Sequence, residues 1–355
     1  MALRKRDTSA GFRPDIKIGE SAGLPANRCI RIDGQLDASL LSPTLHQVLL
    51  GLARLRNVVS SLRIEGESIQ LAEARRVLDS QRSQTPVEKG VLQLSGAYAD
   101  LARGRLPELS INGMRAAHRR LFDGVLDEAG VGKLKATQNV LIESMTGLEK
   151  FVPTPPERTE AELVALLDWL ADQGFQYPSP VVAAVFFAEF QAIHPFENGN
   201  GRMGRYLNLA ILYRLGLRNA PLVPLDTRFF RTHARYYEML GTTNRGRDFH
   251  HWIRYYVKEL EAAYRLAASR ADLGPVVEGF SRESTRSLLR WVLTGDGGWF
   301  THGDYPNAKG YSPPAISSSL NELWKADVLE AEGERRGRRY RLHSKFLAGI
   351  YGRRL

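Results

Sequence analysis

Apolar side chains recur at three- and four-residue intervals along most of this chain, which predicts a mainly α-helical protein. The clearest stripe is Leu45, Val48, Leu49, Leu52, Leu55, Val59 and Leu62. Ser42 and Pro43 suit its N-terminus and Gly66 its end. Helical patterns follow over 68–81, Val87–Arg103, Ser110–Leu126 and Glu160–Asp172. Pro180 to His194 is apolar on most sides, which predicts a buried helix. Met203, Leu207, Ala210 and Ile211 start another that runs to Gly216, and further helices are predicted over Arg228–Leu240 and 248–269.

Three regions depart from this period. Residues 1–40 carry Gly, Pro, Asp and basic residues without clear periodicity and read as an irregular arm. Between 139 and 152, the short runs "NVLI" and "EKFVP" flank Thr146-Gly147, which predicts a β-hairpin. Around Leu273-Gly274-Pro275 the helical run breaks, marking the expected domain boundary. Beyond it the pattern reads helix, strand, turn, strand. Ser312-Pro313 opens the helix, with Ile316, Leu320 and Leu323 inward and Ser317–Ser319 and Asn321 outward.

Composition changes this picture in two places. The net charge is +10, and the last 25 residues hold eight Lys/Arg against two Glu. A basic excess at one end points to a polyanion contact or to a solvated tail. Cys29 is the only cysteine, which excludes an intrachain disulfide or a cysteine metal cluster. The longest apolar run, Val181 to Ala188, is too short to span a bilayer, so a cytoplasmic protein without membrane contact is expected.

The candidate chemistry lies in "HPFENGNGRMGR", His194 to Arg205. Gly199, Asn200 and Gly201 sit between two helical patterns, where glycine lets successive amides aim at one point. A helix start adds unpaired N–H groups and partial positive charge. Arg202 and Arg205 lie on nearly one face of the helix, so the stretch suits a polyphosphate. His194, just upstream, suits a general base toward an attacking hydroxyl.

This stretch resembles the signature of the Fic family, whose members transfer AMP from ATP to a protein hydroxyl. The resemblance covers roughly residues 40 to 260. It implies a helical core (101–270) carrying the 139–152 hairpin as a flap, with a helical segment before it (1–100). It also implies His194 as the base for a Ser, Thr or Tyr hydroxyl attacking the α-phosphorus, and Phe196 as the loop's anchor. The phosphates would be held by Gly199, Asn200, Gly201, Arg202, Met203, Gly204 and Arg205, with Asn200 also offering a side-chain donor. Tyr236 falls near the nucleoside. The family places Asp or Glu where Asn198 stands, to bind Mg²⁺ or Mn²⁺; Glu197 is one residue out of step.

Ser61, Glu65 and Gly66 match the family's inhibitory motif, in which the glutamate pairs with the residue here numbered Arg205. The target protein would dock on the flap. Residues 275–355 resemble a winged helix, with Arg335, Arg336, Arg338 and Arg339 on the wing for DNA or protein contact; a homodimer is compatible with the sequence. The expected activity is protein adenylyltransferase, self-inhibited by Glu65. Two other readings stay open: related phosphotransfer or removal of AMP at the same site, and a nucleotide-sensing DNA-binding regulator.

Overall fold

The computed structural model describes residues 12–39, 43–139, 141–142, 149–172, 174–243, 248–271, 279–294, 298–307, 310–334 and 337–343. The protein is mainly helical, as expected. It runs α1 (Glu20–Ser39), α2 (Pro43–Ile64), α3 (Leu71–Ser80), α4 (Pro86–Ala102) and α5 (Ile111–Phe122), then strands β1 (Leu141–Ile142) and β2 (Glu149–Phe151). There follow α6 (Pro156–Asp172), α7 (Ser179–Ile193), α8 (Asn200–Arg214), α9 (Leu225–Arg231), α10 (His233–Thr242) and α11 (His250–Ala271). The C-terminal part holds α12 (Glu283–Thr294), β3 (Phe300–Thr301), α13 (Pro313–Lys325), β4 (Leu329–Glu332) and β5 (Arg339–Leu342).

Every residue of α7 from Pro180 to Ile193 is buried, so this helix is the spine of the core. It packs against α6, α8 and α11. Trp252 of α11 donates its indole N–H to the Ala184 carbonyl at 2.7 Å, and its ring stacks on Phe187. Helix α2 packs along α4 and α9 and also meets α8, which brings its C-terminal end to the start of α8. Gly66, with φ +87°, ends α2 in a left-handed turn that most other residues would adopt only with strain.

Residues 20–39 correct the sequence reading, because α1 is a 20-residue helix lying on α11. Its buried face is Ala22, Ala26, Cys29, Ile32 and Leu36. The spacing is helical, but half the stripe is small residues, and Gly23, Pro25 and Gly34 interrupt it. The stretch Arg228–Leu240 is also not one helix. It begins earlier, at Leu225, and divides at Thr232, whose hydroxyl pairs with the Arg228 carbonyl and the Tyr255 hydroxyl. Helix α5 stops at Phe122, short of Leu126, and α6 starts at Pro156, before Glu160.

Strands β1 and β2 pair antiparallel as the hairpin reading expected; its Thr146-Gly147 turn lies outside the described residues, as does the break at 273–275. In the C-terminal part the strand order is β3-β5-β4, all antiparallel. Ile316, Leu320 and Leu323 of α13 are buried as expected, but so is Ser319. Its hydroxyl lies 2.9 Å from both the Ser284 hydroxyl and the Ala315 carbonyl, so it faces α12 instead of solvent. Arg335 and Arg336 lie outside the described residues. Arg338 stacks over Trp324 and Tyr340, while Arg339 pairs with Glu332 at 3.2 Å. No helix among the described residues is long and apolar enough to cross a membrane.

Candidate active site

The turn from α7 to α8 builds the site. His194 caps α7 with left-handed backbone, φ +52°, and its N–H still donates to the Phe190 carbonyl at 2.9 Å. Its Nδ1 lies 3.3 Å from the Gln191 carbonyl. A ring nitrogen facing a carbonyl carries the proton, which leaves Nε2 as the basic nitrogen. Burial lowers the imidazole pKa to about 4, opposed by the Gln191 carbonyl and reinforced by the charge of Lys135. At neutral pH the ring is therefore a neutral proton acceptor.

After His194 the loop is tied down carbonyl by carbonyl. Asn200 closes it, its Oδ1 accepting from the Phe196 N–H at 2.9 Å and its Nδ2 donating to the Phe196 carbonyl at 2.7 Å. The Asn200 side chain is buried and holds its own loop closed. Asn139 donates to the Phe196 and Glu197 carbonyls. His118 Nε2 donates to the Asn198 carbonyl at 3.0 Å, while its Nδ1 accepts from Gly132 N–H. The Phe196 ring, fully buried, stacks on His118 with centroids 3.9 Å apart. The expected anchor is thus an anchored pair, and His118 is not legible in the pattern because it lies 80 positions from Asn198, on α5.

Helix α8 starts immediately afterwards. Its first intrahelical bond is Met203 N–H to the Gly199 carbonyl, so the N–H groups of Asn200, Gly201 and Arg202 precede the ladder. Gly199 has φ +77°, and a Cβ there would lie 2.7 Å from the Phe122 ring. Two other members of the stretch pack inside. Met203 is fully buried in the core, and Gly204 packs against Gln191 so closely that a Cβ would meet its Nε2.

Arg202 and Arg205 are both buried, with different partners. Arg202 lies over the Phe122 ring at 4.8 Å, and its Nε has no hydrogen-bond partner among the described residues. Arg205 is held on two sides. Its Nε donates to Ser61 Oγ at 2.8 Å, and its Nη2 donates to the Ser61 carbonyl at 2.9 Å and to Glu65 Oε1 at 2.7 Å. Behind Ser61 lies Asp226, which accepts from the Tyr98 hydroxyl at 2.7 Å and whose pKa burial raises to about 6.

Glu65 occupies a telling place. It follows the last residue of α2, where the helix dipole disfavours a carboxylate. Yet a Cβ on Gly201 would lie 2.2 Å from its Oε1, so the carboxylate rests on the first turn of α8, at a positive helix end. Burial opposes its ionisation, but Arg205, Arg202 and His194 together hold its pKa below the ordinary carboxylate range. An acid unfavourable for its own helix is thereby favourable for another.

Tyr236 is 1 % exposed, packed against Phe229 and Trp252 beside Arg205. Its neighbour Tyr237 is 42 % exposed, with its hydroxyl 3.5 Å from the Ile64 carbonyl at the end of α2. Adjacent tyrosines are indistinguishable in sequence; the helix rotation sorts them.

A divalent cation does not fit the chain's own donors here. Asn198 is exposed and neutral. Glu197 accepts from the Ala136 and Thr137 amides at 2.8 and 3.1 Å and from the Thr137 hydroxyl at 2.9 Å, which commits both its oxygens. Among the described residues no three His, Cys, Asp or Glu cluster as metal ligands.

Residues 108–212 match the model of the Fic/DOC family. The protein adenylyltransferase fic-1 of Caenorhabditis briggsae is 29 % identical over 233 residues, covering 62 % of this chain and 43 % of that protein. The protein adenylyltransferase Fic of Nematostella vectensis is 28 % identical over 241 residues, covering 66 % and 53 %. The chain thus spans about half the length of these curated relatives. In fold, it resembles a Fic family protein from Desulfovibrio desulfuricans G20, with a TM-score of 0.64 and 23 % identity over 94 % of this chain and 99 % of that one. Fic-1 from C. elegans gives a TM-score of 0.56 at 22 % identity, covering 73 % and 74 %. The stretch that matches the Fic/DOC family model, residues 108–212, contains the whole turn from His194 to Arg205.

Proposed function

We propose that this chain is a protein adenylyltransferase that moves AMP from ATP to a Ser, Thr or Tyr hydroxyl of a target protein and is held in check by Glu65. The observation that carries the reading is a neutral imidazole one turn before a helix start that gathers free amides and two buried arginines. The relatives named as protein adenylyltransferases support it.

In this reading His194 Nε2 takes the proton of the target hydroxyl as its oxygen attacks the α-phosphorus. The bond to pyrophosphate breaks, and Arg202 and Arg205 balance the departing charge. The target's extended segment pairs with the flap at 139–152. Tyr237 is the exposed ring available to the nucleoside. While Glu65 occupies the Arg205 guanidinium that would take the γ-phosphate, ATP binds in a pose unfit for attack.

We read residues 275–355 as a winged-helix module for DNA or protein contact. Since Arg338 and Arg339 are engaged by aromatic rings and Glu332, duplex binding would have to displace those contacts. A second reading is a nucleotide-sensing regulator with weak catalysis, which the neutral Asn198 and the committed Glu197 favour.

Transfer from α-labelled ATP, with Mg²⁺ or Mn²⁺ supplied, tests the first reading. Label on protein in Glu65→Gly, absent in wild type and in Glu65→Gly/His194→Ala, is the expected outcome. Intact ATP binding by Glu65→Gly with no label at any cation concentration would leave the regulator.

A further inference from the structure

Lys135 is buried, 4 % exposed, in the segment between α5 and β1. Lysine is rarely buried without a specific partner. Its Nζ donates to the Ile193 carbonyl at 3.0 Å, and its backbone N–H donates to the Pro195 carbonyl at 2.9 Å. These are the carbonyls of the residues immediately before and after His194. One residue therefore grips the chain on both sides of the strained, left-handed histidine. The neighbouring acceptor is also filled from outside, since Thr154 N–H donates to the Ala192 carbonyl at 3.3 Å.

The position is electrostatically favourable for a cation. The last carbonyls of α7 form the negative end of a buried 15-residue helix. An ammonium at Ile193 caps that end. It also adds positive charge beside the imidazole, which disfavours a second proton on the ring. A left-handed non-glycine residue persists only where its surroundings over-determine it. Lys135 supplies both the fixed geometry and the charge.

We propose that Lys135 is a positioning residue for His194, pinning the carbonyls of the residues on either side of it and holding the ring in its neutral, proton-accepting form. It touches neither substrate nor reacting atoms. The inference rests on His194 being the base of the proposed transfer, but its first test does not need activity.

The other charged groups facing this pair are few. Glu65, from the end of α2, faces the imidazole and favours its protonation. Glu197, on the loop, and Glu162, on α6, face the Lys135 ammonium. Burial lowers the Lys135 pKa to about 8, so the cation is present at neutral pH and is lost above that value.

The experiment compares wild type, Lys135→Met, Lys135→Gln and Lys135→Arg in the full chain. The His194 imidazole is titrated by NMR, with the His194→Ala spectrum identifying its signal. Met and Gln should both raise the imidazole pKa, and Arg should leave it near wild type. In the Glu65→Gly background, kcat in Lys135→Met should fall by about 10²-fold, the loss expected for a base displaced by about 1 Å. KM for ATP should change little, and the acidic limb of the pH–rate profile should move to higher pH. Lys135→Gln keeps a donor without the charge and guards against a Met variant that fails to fold. An unchanged His194 titration in folded Met and Gln variants would overturn the proposal, whatever their activity. A chain without transferase activity that still shows the raised imidazole pKa would overturn the functional reading and keep this one.

Discussion

Arg205 and Glu65, 140 positions apart, meet at 2.7 Å across the first turn of α8. The arginine is 1 % exposed and the glutamate 24 %, so the pair is closed on one side and open on the other. That asymmetry suits a clasp. The buried member stays in place through Ser61, and the half-open member is the one that can leave.

Glu65→Gln tests the clasp as a stability element. Removing one partner of a buried ion pair costs about 3–5 kcal/mol, and the glutamate's partial exposure and the Ser61 bonds reduce this to about 1–3 kcal/mol. The folded pKa of Glu65 is depressed, so its contribution is present above the ordinary carboxylate pKa and is lost as pH falls through the folded value. Urea midpoints should differ at pH 7 and converge in acid. Equal midpoints at pH 7 would mean that the pair contributes nothing to stability.

His118 carries a separate pH signature. Burial lowers its pKa from an ordinary 6.5 to about 4, as it does that of His194. The unfolded chain therefore binds more protons between those values, and stability should fall as pH drops from about 6.5 toward 4. His118→Phe keeps an aromatic ring but loses the bonds to Asn198 and Gly132. It should be less stable at neutral pH by about 1–3 kcal/mol, with a shallower pH dependence in that window. Thermal melts across the window decide it; an unaltered slope would show that His118 does not titrate on unfolding.

Asn198→Asp, placed in the Glu65→Gly background, adds a carboxylate at an exposed position next to a loop whose other acid is committed. More ligand charge tightens binding of hard divalent cations. The Mn²⁺ concentration for half-maximal transfer should fall about tenfold, with the Glu197 contacts intact. Identical metal titrations would remove position 198 from the cation's surroundings.

What the sequence determined was whatever depends on local order. The apolar stripes of α2 and α7 and the glycines that turn the chain before α8 all act within a few residues. The motif from His194 to Arg205 was legible for the same reason, since its chemistry is contiguous. Helix α1 was not, because three of the five residues of its stripe are small and Gly23, Pro25 and Gly34 interrupt it.

Tertiary structure decided the rest. It placed the Glu65 carboxylate on α8, and it brought His118 and Lys135 to a loop that neither adjoins in sequence. It also put Tyr236 in the core and Tyr237 at the surface, and it spent the Asn200 side chain on Phe196. Burial and long-range hydrogen bonding set these roles, and neither has a period that a one-dimensional pattern can carry.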